Sequence, residues 1–561
     1  MIGLIAATAN GRRNAAHLAT AWPDARLYAG KPKEALSEAW SECDAIVLFL
    51  ATGAVVRLIA PLIEDKRRDP GVVTVDDATS FAVALCGGHD GGANSLAERV
   101  AEALGAKPVV TTASDALGVP ALDSLGDALG FRLEEGSDLA AVGAALVSGE
   151  KINLVSECRW PLGPLPENLI PSEEETPPLV VISDQIVDVP KPAVIYRPPS
   201  LVAGVGCSRG AGADEILALL RSSLQEANLS MKSVAALATI DAKSDEVGLL
   251  EAAGNLGVPL RFHTAAALSA VETPNPSNVV REAVGTPSVA EAAVLVSGAE
   301  LVLEKRKSAM ATVAVGRLPV RGRLYLVSLG PGEDDLIPAL AREALAASAL
   351  IVGLKQYVDR VRHLLRPGTR ILTPPLGDEI KRAELALEEA RAGGSAALVS
   401  SGDIGVYAMA SPVLELAGDD VDVIVVPGVT ASQAAASLLG SPLGHDHCSI
   451  SLSDLLTPWE IIERRVEAAA LGDFVVSLYN PRSRGRDWQL GKVRDILLAQ
   501  RPPDTPVGIV RDAYRPTQQV AVTDLASLHP EDVDMLTIVV VGSSQTKLVA
   551  GRMVTPRGYL S

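Results

Sequence analysis

The sequence predicts an α/β fold built from several α/β domains, on three observations. Short apolar runs rich in β-branched residues alternate with Ala/Leu-rich stretches of helical pattern, the signature of parallel sheets covered on both faces. At 561 residues the chain has room for three or four domains of about 150 residues. Its 48% of AVILMFWYC residues and 21% of charged residues suit packed cores and exclude a disordered chain. Aromatics make up only 3%, so the cores are aliphatic.

The predicted strands include 45–50, 235–240, 324–329, 396–400, 421–426, 474–478 and 536–541, and helices are predicted over 95–104 and 213–226. Two proline-rich stretches read as linkers. One spans 161–199 and contains Pro164, Pro166, Pro171, Pro177, Pro178, Pro190 and Pro192. The other is 315–323, where Arg317, Arg321 and Arg323 flank Pro319. With a weaker break near 120, they divide the chain into 1–120, 121–195, 196–318 and 319–561. No internal repeat is visible.

Composition narrows the function classes. An excess of 68 Asp+Glu over 50 Lys+Arg gives a formal charge of −18, and no dense basic cluster argues for a nucleic-acid partner. Mean hydropathy is +0.25. The longest uncharged apolar run, 45–56, stops at Arg57, well short of the ~20 residues that cross a bilayer. Apolar residues 1–8 precede Arg12 and Arg13, the reverse of a secretory signal's order. A cytoplasmic chain without a membrane partner is expected. Five widely spaced cysteines (Cys43, Cys86, Cys158, Cys207, Cys448) with no CxxC fit reduced thiols.

The last 240 or so residues carry four loops that each follow a predicted strand. Run 324–329 leads into Gly330-Pro331-Gly332, with Asp334 and Asp335 expected as helix caps and Pro338 in an early helical turn. Alone, strand–GPG–helix fits a tight turn as well as a ligand loop at the carboxyl edge of a sheet. Three more loops follow strands in the same way: Ser400-Ser-Gly-Asp-Ile-Gly-Val-Tyr407, Val425-Val-Pro-Gly-Val-Thr-Ala-Ser432 and Leu478-Tyr-Asn-Pro-Arg-Ser-Arg484. Together they predict one shared cleft.

In this order GPG, SSGDIGVY, VPGVTA, SLSDLLTPW and LYNPRSR resemble the class III tetrapyrrole methyltransferases over roughly 322–548. Within that family they look most like the precorrin-3B C17-methyltransferases of cobalamin biosynthesis. The resemblance implies a two-lobed fold, S-adenosylmethionine in the cleft between the lobes, S-adenosylhomocysteine as product, and a homodimer. Carried over by motif, Pro331 and Gly332 would line the macrocycle side near the methionyl end. Ser401, Gly402 and Asp403 would hold the cofactor, Thr430 and Ala431 would sit against it, and Tyr479 and Asn480 would border the adenosine. Thr537 and Ile538 would pair with adenine through the backbone. A sulfonium is already activated, so alignment and exclusion of water are the main tasks, and small residues with exposed backbone suit them. Ile404 departs from the family's proline after GD, and Pro338 from its threonine.

The implied reaction methylates C17 of precorrin-3B and contracts the ring to precorrin-4. Contraction needs proton transfers, for which His445, Asp446 and His447 in Gly444-His-Asp-His-Cys448 are candidates. Three potential ligands at that tight spacing make a poor metal site, and no metal is expected.

The amino-terminal part has its own glycine loop, Cys86-Gly-Gly-His-Asp-Gly-Gly-Ala-Asn94, opening a helix, with Arg57 and the 66–68 basic cluster nearby. Backbone N–H groups at a helix start suit carboxylates, so Arg57, Gly91, Gly92 and Asn94 are candidate substrate contacts and His89 a candidate water activator. A solvated surface turn explains the basic residues equally well. These stretches, with Thr111-Thr-Ala-Ser-Asp115, resemble the CbiG family of cobalamin biosynthesis. Gly204-Val-Gly-Cys-Ser-Arg-Gly210, Ile240-Asp-Ala-Lys-Ser-Asp-Glu246 and Pro274-Asn-Pro-Ser-Asn278 resemble its carboxyl-terminal, CobE-like module. The GxGxxxG spacing of 204–210 is one residue too long for a dinucleotide fingerprint. CbiG resemblance implies opening of a δ-lactone on a cobalt-containing intermediate with release of acetaldehyde. The alternatives are therefore an anaerobic bifunctional enzyme acting on cobalt-factor III, or an amino-terminal half that only binds the tetrapyrrole. A class III methyltransferase with another substrate is disfavoured by SLSDLLTPW and LYNPRSR.

Overall fold

The computed structural model describes residues 1–65, 68–88, 92–111, 122, 125–483 and 487–559. Among them the chain forms two compact units, one of residues 1–157 and 165–319, the other of 158–164 and 320–561.

The first unit contains three sheets. The first sheet runs Ala25–Tyr28, Ile2–Ala6, Ala45–Phe49, Gly71–Val75, Phe81–Cys86, Lys107–Val109, and its first four strands are parallel. The second runs Arg132–Leu133, Ala193–Arg197, Leu179–Ile182, Ile152–Ser156, Leu169–Pro171. Stretch 161–199 is thus no linker, because three of these strands lie within it. Most of its prolines lie before and between strands, where no ladder N–H is needed, and Pro171 ends the edge strand, while Leu179-Val-Val-Ile182 is buried throughout. The third sheet runs Leu260–His263, Val234–Ile240, Leu201–Cys207, Ala311–Arg317, Glu300–Lys307, with Ala311–Arg317 antiparallel to both its neighbours and the first three strands parallel. Strand pairing reaches Arg317 and resumes at Gly322, so the second expected linker contracts to 318–321.

The second unit has two lobes. The first lobe's sheet is wholly parallel, in the order Arg370–Leu372, Leu350–Gly353, Ser395–Ser400, Gly322–Ser328, Val421–Val426. Strand alternation divides its core: Leu324, Leu326 and Leu398 pack on one face, Val327, Ala397 and Val399 on the other. The second lobe's sheet runs His447–Ser451, Val475–Tyr479, Thr537–Val541, Pro506–Arg511, Gln519–Asp524, and only its first pair is parallel. This corrects the expectation of parallel sheets throughout. Residues 512–518 join two neighbouring strands without a helix, and a connection that short returns the chain antiparallel.

Segment 158–164 belongs to the second unit by contact. Ser395 Oγ donates to Leu162 O at 2.6 Å while accepting the Ala349 amide at 2.9 Å. Arg159 and Arg370 both pair with the buried Glu389 carboxylate. No helix among the described residues is long and apolar enough to cross a membrane.

Candidate active site

In the second unit the loops after Gly322–Ser328, Ser395–Ser400, Val421–Val426 and Val475–Tyr479 converge at one edge. Gly330 and Gly402 exchange two backbone hydrogen bonds, of 3.1 and 2.9 Å, with φ of +65° and +70°. Asp403 fastens the neighbouring turns: one carboxylate oxygen accepts the Gly405 amide at 2.8 Å, the other the Gly428 amide at 2.9 Å. Both oxygens therefore serve the loops themselves, a positioning role. Ser328 Oγ accepts the Ile404 amide at 2.9 Å, and the Ile404 side chain is fully buried in the lobe's core. Isoleucine in place of the family's proline is accommodated there.

The first-lobe loops meet the second lobe through a tyrosine pair. Tyr479 OH lies 2.6 Å from Thr430 Oγ1 and accepts the Ser432 amide at 3.0 Å. Its ring centroid lies 5.1 Å from that of Tyr407, whose hydroxyl donates to Ser449 O at 2.8 Å. Burial pushes the Tyr407 phenol above its ordinary pKa. Asn480 Nδ2 donates to Ser451 Oγ at 3.0 Å. Tyr407 and Asn480 both adopt left-handed backbone, at φ of +52° and +51°, costs usually stored at functional sites. Thr537 and Ile538 are buried, and the ladder between Val475–Tyr479 and Thr537–Val541 stops at Leu478–Val539. Past that pair the two strands part beside Asn480.

Two arginines absent from the sequence-level candidates grip the GPG loop. Arg515 donates from Nε to Pro331 O at 3.0 Å and from Nη2 to Ser401 Oγ at 3.2 Å. Arg360 donates from Nη2 to Gly332 O at 2.7 Å. A Cβ on Gly332 would sit 2.0 Å from Tyr514 O, so only glycine fits. Loop 512–518 carries two more left-handed non-glycine residues, Asp512 (φ +49°) and Tyr514 (φ +57°). It is held by Thr517 Oγ1 on the Asp512 carboxylate and by Gln518 on the Tyr514 amide, each at 2.8 Å. No local motif marks either arginine; only the tertiary fold brings them to the loop.

Several sequence-level candidates lie elsewhere. His445 and Asp446 precede His447–Ser451, whose parallel pairing of His447 with Val475 sets them at the amino edge of that sheet. The loop after Val475–Tyr479 leaves the carboxyl edge of that sheet, about 13 Å away along a five-residue strand. His447 is at the same distant edge. Asp334 does not cap: its carboxylate lies 2.8 Å from His363 Nε2, and helix Ala339–Ala346 starts at Pro338 with no side-chain cap bond from Asp334 or Asp335.

In the first unit Gly92 (φ +70°) leads into helix Ala93–Leu104. The Ala93 and Asn94 amides donate to Gly87 O and Gly88 O at 3.0 and 2.9 Å, so neither is turned outward. Arg57 is exposed in the last turn of helix Thr52–Ile59. His89 and Gly91, like residues 66–67, 112–115 and Arg484, lie outside the described residues. A cavity of about 490 Å³ in this unit is lined by Glu134, Lys191, Arg197 and Lys232 among others. Its cations are already engaged: Arg197 Nε lies 2.5 Å from Glu134, Lys232 Nζ 3.3 Å from the same carboxylate, and Lys191 Nζ 3.2 Å from Asp138. Among the described residues no group of three or more His, Cys, Asp or Glu side chains is arranged to hold a metal.

Family models match in four places: cobalamin synthesis G N-terminal at 34–115, cobalamin biosynthesis central region at 120–198, cobalamin synthesis G C-terminus at 201–316, and tetrapyrrole (corrin/porphyrin) methylases at 323–529. A probable cobalt-factor III C(17)-methyltransferase of Salmonella typhimurium is 46% identical over 242 residues, 42% of this chain and 99% of that protein. A precorrin-3B C(17)-methyltransferase of a Sinorhizobium species is 41% identical over 249 residues, 42% of this chain and 97% of that one. With the cobalt-factor III methyltransferase of Priestia megaterium identity is 45% over 247 residues, and the match spans 46% of that longer protein. The solved structure of the methyltransferase CobJ is 40% identical, is covered over its full length by 42% of this chain, and superposes with a TM-score of 0.41. The chain belongs to the tetrapyrrole methylases of cobalamin biosynthesis, with three CbiG-family domains fused before the methylase.

Proposed function

We propose that the second unit transfers a methyl group from S-adenosylmethionine to C17 of precorrin-3B, with ring contraction to precorrin-4. The observation that carries this reading is the convergence of four strand-end loops, tied together by Gly330–Gly402, Asp403–Gly428 and Thr430–Tyr479 contacts. When bound, the cofactor supplies an electrophilic methyl group on a sulfonium. The residues present fit it. A Cβ on Gly402 would meet nothing nearer than the Ala431 amide at 4.0 Å, leaving backbone open on both sides of a gap. Ser401, Gly402, Thr430 and Ala431 would line that gap, and Tyr479 and Asn480 would border the adenosine. Thr537 and Ile538 would offer backbone to adenine where the ladder ends.

What this chain contributes is alignment. Rigid loops, fixed by reciprocal backbone bonds and by Asp403, set the approach direction without reorganising. Tyr407 and Tyr479, tilted against each other at 58°, tie the first-lobe loops to the second lobe. Pro331 and Gly332 would face the macrocycle. Neither His445 nor Asp446 stands at this edge, so no proton carrier for contraction is assigned to them.

Cobalt-factor III is the second reading, favoured by the names of the Salmonella and Priestia relatives. In it the CbiG-family domains would open a δ-lactone and release acetaldehyde; a purely binding role for them is the remaining option. We further propose that the chain forms a homodimer and acts in the cytoplasm. One experiment separates the readings: anaerobic incubation of the full chain with S-adenosylmethionine and either precorrin-3B or cobalt-factor III, followed by mass spectrometry and an acetaldehyde assay. Methylation of precorrin-3B alone, without acetaldehyde, is expected under the first reading. Methylation of the cobalt substrate with acetaldehyde supports the second, and methylation of neither overturns both.

A further inference from the structure

The GPG loop draws two positive charges to one place. Arg360 reaches it from helix Lys355–Val361 and Arg515 from loop 512–518, and each spends part of its guanidinium on the loop's carbonyls. Arg360 Nη1 is shielded from solvent and has no hydrogen-bond partner among the described residues. A buried guanidinium N–H left without an acceptor is costly, and natural folds rarely keep one without a use.

The nearby acids do not answer it. Asp334 is held by His363 at 2.8 Å. Asp512 serves Arg511 and Thr517, each at 2.8 Å, and lies 3.6 Å from Arg515 Nη1. Burial first, then the Arg515 charge, pull the Arg360 pKa down from its ordinary value, against a smaller opposing pull from the Asp334 carboxylate, which is close enough to be felt but makes no bond to it. A guanidinium stays protonated at neutral pH even so. Two converging cations, one with a spare donor, next to Ser401 and Pro331, describe a receptor for a planar anion.

We infer that Arg360 and Arg515 form a carboxylate-binding subsite beside Gly330-Pro331-Gly332. This rests on the reading that the edge binds S-adenosylmethionine and a tetrapyrrole, both of which bear carboxylates. The subsite takes either the amino-acid carboxylate of the cofactor or a peripheral carboxylate of the macrocycle. Either way it fixes where the methyl group and its acceptor meet, since the same arginines hold the loop between them.

The test uses the full-length protein, wild type and the variants Arg360→Met, Arg360→Lys and Arg515→Met. Calorimetry measures binding of S-adenosylhomocysteine and of 5′-methylthioadenosine, which lacks the amino-acid carboxylate; steady-state methylation gives KM and kcat for the macrocycle. Losing one charge-assisted bond is worth about tenfold. If the cofactor's carboxylate is bound, Arg360→Met weakens S-adenosylhomocysteine about tenfold and leaves methylthioadenosine unchanged. If the macrocycle's is bound, both nucleosides bind as before while the macrocycle's KM rises about tenfold at nearly constant kcat. Equal weakening of both nucleosides marks a merely structural brace and overturns the inference, as does no change in any constant. Should Arg360→Met fail to fold, Arg360→Lys, which keeps the charge without the fork, carries the same comparison and is expected to show a smaller loss of the same kind. Wild-type protein that binds neither nucleoside sinks the cofactor reading itself, a different failure from unmoved variants.

Discussion

The turn Gly330-Pro331-Gly332 in the second unit and the glycine loop before helix Ala93–Leu104 in the first follow strands and read alike in sequence. In the fold they are held by different partners. At the helix start, the Ala93 and Asn94 amides return to Gly87 and Gly88 carbonyls, so the described part of that loop closes on itself. At the GPG turn, Gly330 is bonded to Gly402, and the Pro331 and Gly332 carbonyls are taken by Arg515 and Arg360. Glycine spacing therefore reports a backbone shape. Whether that shape builds a site depends on what distant residues do with its polar groups.

The sharpest way to break this contrast is Gly332→Ala. Its Cβ would meet the Tyr514 carbonyl at 2.0 Å, a backbone atom that cannot step aside, so the two lobes' loops must shift. A displacement of that order costs about 10²-fold in methylation rate, read by single-turnover assay. Loss of less than threefold would mean the GPG turn is as self-contained as its amino-terminal counterpart. Next in size is Tyr479→Phe, which removes the hydroxyl shared by Thr430 Oγ1 and the Ser432 amide. About 1 kcal/mol of lost bonding gives a roughly fivefold rise in KM for S-adenosylmethionine.

Gly92→Ala is the matching change in the first unit. At φ +70° an alanine is strained, yet the new Cβ would meet only Ser95 Oγ at 3.9 Å. A stability loss of about 1 kcal/mol with methylation unchanged is expected, measured by urea unfolding alongside the rate. Methylation falling tenfold would show that this loop also reaches the methylase chemistry.

The smallest effect concerns a third glycine loop, 204–210, which is closed by a side chain. Glu246 accepts the Gly210 amide at 2.7 Å and pairs with Lys243 at 3.2 Å. The Gly210 amide chiefly, then Lys243, hold its carboxyl below the usual glutamate range against the pull of burial. A depressed folded value means the stabilisation is complete above the ordinary value near ~4.3 and is lost as pH falls through the folded one. Urea midpoints should drop on acidification below about pH 4.3, and Glu246→Gln should flatten part of that drop. Identical pH profiles for both proteins would show that Glu246 contributes nothing to the acid dependence of stability.

Strands and strand-end loops were legible because they are local. Helix Ala213–Glu226 matches its predicted span, and the apolar runs at 396–400 and 421–426 fall within a residue of their strands. The loops of the cleft followed from those strands. What was not legible is non-local: Arg515 lies 184 residues from Pro331 and Arg360 lies 28 from Gly332, with no motif around either. The antiparallel pairs of the second lobe's sheet were missed because apolar runs look the same in either direction. Proline density misled at 161–199, since prolines between strands and prolines in a linker give one composition.

The segment 158–164 sets a timetable for synthesis. Leu162 waits for Ser395, 233 residues later in the chain, before its carbonyl finds the Ser395 hydroxyl. At about 5–20 residues per second that delay is roughly 10–50 s, long enough for earlier sheets to form around an unmatched strand of chain. A ribosome therefore releases a first unit with one segment still owed to the second. A gene split at codon 320 would give a methylase without that segment, and its two products would have to meet as separate chains to restore it.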